Sequence, residues 1–139
     1  LYRFSMAERK VTGKWPIQPD TPAVHDIVLG PDGLIYGIAH PDRFFVFDPA
    51  RGAFVHNEAM TGYGNATGYQ APRTMLAGPD GKIYALFREA VVRIEPGTFK
   101  HTEIARPKAG ITVGIATLGD RLYFGCGTRL FSCALEPAD

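Results

Sequence analysis

Two pairs of side chains able to carry positive charge recur at one spacing. His25 is followed by His40 and Arg73 by Arg88, each pair 15 residues apart. Arginine offers a planar fork of donors that fits a carboxylate or phosphate, and histidine moves a proton near neutral pH. Such a quartet has a small anion as its natural target. Three aromatics in two long, turn-rich stretches widen the candidate set. Trp15 stands among Pro16, Pro19 and Pro22 in residues 12–22, and Tyr63 and Tyr69 stand among glycines in residues 57–70. Stretches of this length without regular structure tend to carry function, and aromatic rings beside Arg and His suit the face of an acidic sugar. The expected ligand-binding residues are therefore His25, His40, Arg73, Arg88, Trp15, Tyr63 and Tyr69. The plainer alternative has the charged residues reaching solvent at strand ends and Trp15 packed over a sheet edge. His56 and His101 are expected on the exposed surface of outer strands.

Several chemistries lack their residues. The chain has no His-Glu-x-x-His, no Cys-x-x-Cys and no calcium loop of spaced Asp and Asn. It also has no Gly-x-Ser-x-Gly and no Gly-x-x-x-x-Gly-Lys. No metal, cofactor or catalytic residue is expected from the pattern. A formal net charge of +1 without a basic stripe argues against nucleic acid. No apolar run approaches the ~18–20 residues of a membrane span.

The elements that hold the pairs are legible as repeats. VHDIVLGPDGLIYGIAHPDRFFVFDP over residues 24–49 returns as PRTMLAGPDGKIYALFREAVVRIEP over 72–96, and more loosely as TVGIATLGDRLYFGCGTRLFSCALEP over 112–137. The Gly-Pro-Asp-Gly turns begin at Gly30 and Gly78, a period of 48 residues, and Ile35-Tyr36 recurs at Ile83-Tyr84 and then at Leu122-Tyr123. Pro presets the turn, Asp bonds its own backbone and the second Gly takes the left-handed conformation. Each turn therefore closes a hairpin of apolar strands. The run Arg43-Phe44-Phe45-Val46-Phe47 lacks alternation, as in a strand buried on both faces. Periods of about 40–50 residues built from four short strands are those of β-propeller blades. The expected fold is all-β, a β-propeller segment of about three four-stranded blades in an incomplete ring; an antiparallel sandwich or barrel is the rival.

The blades are expected at 20–57, 70–105 and 111–137, the last incomplete, with 1–11 the end of a preceding blade. A closed propeller has about 4–8 blades, so the expected partners are other blades of a longer parent chain, or another copy of this chain. In the hairpin closed near Gly127, Cys126 faces Arg129 and Cys133 faces Leu122. The two thiols are then roughly 13 Å apart at strand rise, beyond disulfide reach.

The segments Gly-Pro-Asp-Gly-x-Ile-Tyr and Phe-Val-Phe-Asp-Pro resemble those of several propeller families. The resemblance is greatest to streptogramin-lyase-like and NHL-type propellers, and more distant to SMP-30/gluconolactonase-like proteins. It covers about residues 24–137 and lies in blade-building residues. It therefore implies a fold and assigns no catalytic residue. Among channel carboxylates of the lactonase kind, Asp26 alone has a comparable place. The expected function is a ligand- or protein-binding module with one face for a small anionic or carbohydrate ligand. The alternative is part of a propeller enzyme, either a lyase on an acidic saccharide or a lactonase-like hydrolase. In the lyase, Arg73 and Arg88 would neutralise a carboxylate and His25 or His40 would move the proton.

Overall fold

Short β-rich runs separated by Gly, Pro and Asp turns cannot bury their apolar side chains singly, so they pair into sheets and the sheets stack. The computed structural model describes residues 1–18, 21, 23–67 and 73–136, and among them it is all-β, with 13 strands in four antiparallel sheets and no helix. β1 (Tyr2–Ser5) and β2 (Lys10–Lys14) form a hairpin. β3 (Val24–Leu29), β4 (Ile35–Ala39), β5 (Arg43–Asp48) and β6 (Ala53–Ala59) form a four-stranded meander. A second meander holds β7 (Met75–Ala77), β8 (Ile83–Leu86), β9 (Val91–Ile94) and β10 (His101–Ala105). The last sheet holds β11 (Val113–Leu118), β12 (Arg121–Cys126) and β13 (Arg129–Ala134). Ile35, Ile83 and Leu122 therefore lie in three separate sheets at the same place in each.

The sheets pack face to face in chain order. Tyr36, Ile38, Phe44 and Val46 of the first meander meet Met75, Ile83, Ala85, Val92 and Ile94 of the second in one buried cluster. The opposite face of the second meander, with Tyr84, Leu86 and Val91, meets Ile115, Leu122, Phe124 and Cys126 of the last sheet in another. The first strands of successive sheets touch, β3 against β7 and β7 against β11. β8 is buried on both faces because it lies between two sheets; β5 is too, since Trp15 covers Phe47 from the other side.

The repeated turn motif is a packing unit. The Tyr36 hydroxyl donates to Asp32 at 2.6 Å and the Tyr84 hydroxyl donates to Asp80 at 2.6 Å, each within its own hairpin. Each ring lies so close to Gly30 or Gly78 that a Cβ there would collide with it. The same carboxylates accept the backbone N–H of Leu34 and Lys82. Burial and the hydrogen bond to the carboxylate both hold the two phenols far above their ordinary range. In the third sheet the offset from Asp120 to Tyr123 is one residue shorter, and no bond between them forms.

Several expected boundaries move. β2 runs to Lys14 rather than ending at Val11, which shortens the first long connection, and β6 reaches Ala59, so the second begins later than the sequence suggested. The second is further tied down by an isolated bridge from Ala66 to Phe87. Cys126 faces Arg129 and Leu122 faces Cys133, and both thiols are free, as the register required.

Candidate functional site

The heads of the first strands and the ends of the second strands share one end of the sheets. In the first meander the His25 and His40 rings stack with centroids 5.7 Å apart and planes 30° apart. In the last sheet the Gly127 N–H donates to Thr112 Oγ1 at 3.0 Å. In the second meander Leu86 N–H donates to the Thr74 carbonyl at 2.7 Å, leaving Arg73 and Arg88 at the same end of β7 and β8, both exposed. All three 15-residue pairs therefore sit at equivalent positions.

One carboxylate joins two of these ends. Asp26 Oδ2 accepts the N–H of Thr74 at 2.8 Å and of Met75 at 3.0 Å, while Oδ1 accepts Ile27 N–H at 2.9 Å. His25 precedes the clamping residue and Arg73 precedes the clamped one, so the heads of β3 and β7 are held side by side. Asp26 is thus engaged by three backbone donors, and its place is structural rather than that of a free channel carboxylate. Arg73 has a positive φ of 144°, a backbone strain that concentrates at sites held by their surroundings. Thr74 Oγ1 is buried without a hydrogen-bond partner. Arg88 N–H donates to Asn65 O, its carbonyl accepts Ile111 N–H, and its side chain lies against Gly110.

Burial and the neighbouring His40 lower the pKa of His25, and a hydrogen bond with the Thr67 backbone opposes them in part. His25 is then neutral at pH 7.

The aromatics do not join this group. Trp15 packs on Phe47 with centroids 4.8 Å apart and lies beside Gly52, with Arg3 over its ring. Phe47 opposes Ile35, four residues along β4 from Ala39, so Trp15 lies roughly 13 Å along the sheet from His40. Its indole is used to cover an apolar sheet. The Tyr63 backbone runs beside Glu89, but its ring turns outward, against Phe87 at 5.7 Å and His101 at 5.5 Å. Tyr69 lies outside the described residues.

What the sequence missed is a polar network on the outer strands. The Tyr63 hydroxyl and His101 Nδ1 are 2.9 Å apart, and Glu58 Oε1 stands 2.9 Å from His56 Nε2 and 3.6 Å from His101 Nε2. Burial raises the Tyr63 pKa, and the Glu103 carboxylate adds to it. Arg106 fastens the preceding loop from outside, donating to Glu103, Glu89 and the Gly62 carbonyl. His56 packs between Phe44 and Phe99. Both histidines are on outer strands as expected, yet half-buried rather than exposed, because neighbouring sheets meet there. The signal for this lay in His56 and Glu58, two apart and so on one strand face. The partners Tyr63 and His101, 38 residues apart, carried none. Among the described residues no group of three or more His, Cys, Asp or Glu is set to hold a metal ion.

Compared with known proteins, the chain matches no family model and no curated protein.

Proposed function

We propose that the chain is a segment of a β-propeller and that the shared end of its first strands binds a small anionic ligand, an acidic saccharide such as a hexuronate. The radial reading is supported by the order of the sheets, by the contact of each first strand with the next, and by the equivalent burial of Ile83 and Leu122. The observation that carries the ligand site is the Asp26 clamp, which ties the head of β3, where His25 stands, to the head of β7, where Arg73 stands. Arg73 and Arg88 supply exposed guanidinium groups for a carboxylate.

Calorimetric titration with glucuronate and, separately, with glucose tests this. Glucuronate binds and glucose does not, and Arg73→Ala or Arg88→Ala each weakens binding at least about tenfold, or about 1.4 kcal/mol. Equal affinity for the two sugars, or no binding of glucuronate, overturns the proposal.

A further inference from the structure

The two interfaces inside the chain are built to one plan. In each, the face that carries the repeat tyrosine packs on the face of the next sheet that carries the repeat Ile or Leu. Tyr36 and Ile38 meet the Ile83 and Ala85 face, and Tyr84 and Leu86 meet the Leu122 and Phe124 face. The tyrosines also reach into the following sheet: the Tyr36 ring lies 6.1 Å from Phe99, and the Tyr84 hydroxyl stands 3.1 Å from the Leu135 carbonyl.

Among the described residues, each half of this interface also occurs once without a partner. On the last sheet the tyrosine face presents Tyr123, with Val113 44% exposed, Leu118 74% and Leu130 75%. Register places them together, since Val113 and Leu130 both oppose Gly125, and Leu118 opposes Arg121, two residues from Tyr123 on the same strand. A shallow groove of about 360 Å³ runs along this face between Arg73, Val113, Tyr123 and Leu130. On the first meander the opposite face presents Ile27, 47% exposed, and Leu29, 64% exposed. These oppose Gly37 and Ile35 and stand where β7 carries Met75 and Ala77, which the second meander packs against its predecessor. Trp15 covers the β5 side of that face, at Phe47. Contiguous apolar surface of this kind marks an interface.

We propose that a second copy of this chain occupies these surfaces head to tail, the β11–β13 face of one copy packing on the β3 face of the other, twice, in a closed two-fold ring. Continuity with the two internal interfaces identifies the occupant: the chain itself carries the matching half. Heterologous contacts close when the rotation per unit allows it. Two copies of this 139-residue stretch would bring together six larger sheets and two hairpins, within the range of about 4–8 wedges at which propellers close. The proposal rests on the repeated sheet interface and not on the anion site, so failure to bind glucuronate leaves it standing.

Sedimentation of the purified 139-residue chain gives a dimer. Leu130→Glu and Ile27→Glu, both at exposed positions and so without cost to the core, each raise the dissociation constant at least about tenfold. Mixing the two variants restores a heterodimer, because each retains the half the other has lost. A wild-type monomer at 100-fold the concentration of an ordinary micromolar dissociation constant (about 100 μM) overturns the proposal. So does a dimer that Ile27→Glu leaves intact, since that indicates a face-to-face pair of β11–β13 surfaces.

Discussion

At the residue scale, two buried hydroxyls and one imidazole govern how the chain responds to pH. Tyr36 and Tyr84 are wholly buried, and each donates a hydrogen bond to a turn carboxylate. Tyr36→Phe or Tyr84→Phe leaves that carboxylate with one donor fewer and lowers unfolding stability by about 1–2 kcal/mol, measured by urea denaturation. Both phenols are raised above the ordinary value of 10.0. Their contribution is therefore fully present below pH 10, and stability falls above it, where the unfolded chain ionises and the folded chain does not. His25 has the opposite sign. It is lowered from 6.5, so the unfolded chain binds the extra proton first, and stability declines as pH falls below 6.5. His25→Gln flattens that limb of the profile, read as the denaturation midpoint between pH 5 and 7.

At the element scale, the hairpins were readable because their information is local. A Gly-Pro-Asp-Gly turn names its own geometry, and Ile35-Tyr36, Ile83-Tyr84 and Leu122-Tyr123 fix which residues alternate across each sheet. The 15-residue pairs followed from the same arithmetic, and His25 stacks on His40 as it required. Contacts between elements were not readable. Nothing in the sequence says that Asp26 reaches a strand 48 residues away, or that Trp15 is spent on Phe47 rather than on the end that holds the histidines. The outer network was hidden for the same reason, since Tyr63 and His101 meet only after two sheets have packed. The clamp is the element-scale test. Asp26→Ala removes the acceptor for Thr74 and Met75 and costs about 2–3 kcal/mol, as for hydrogen bonds to a charged group. Asp26→Asn keeps one acceptor oxygen and costs less, by the same denaturation measurement.

Across the whole molecule, the second meander is the keystone, lending one face to each buried cluster. Backbone amides of β8 and β9 are therefore the slowest to exchange with deuterated water, those of β1 and β2 among the fastest, because that hairpin has two strands and mostly exposed side chains. Leu86→Ala and Ile83→Ala each cost about 2–5 kcal/mol and unfold the molecule as one unit, since damage on either side of β8 is transmitted through it. Equal exchange rates in β8 and β1 would contradict this account.

The tyrosine lock closes inside a single hairpin, from Asp32 to Tyr36 and from Asp80 to Tyr84. A module that brings its own fastening can be copied in tandem without redesign of its neighbours. A gene that duplicates residues 31–78 in frame would therefore encode one more four-stranded sheet with its own fastening, ready to stack on its neighbours.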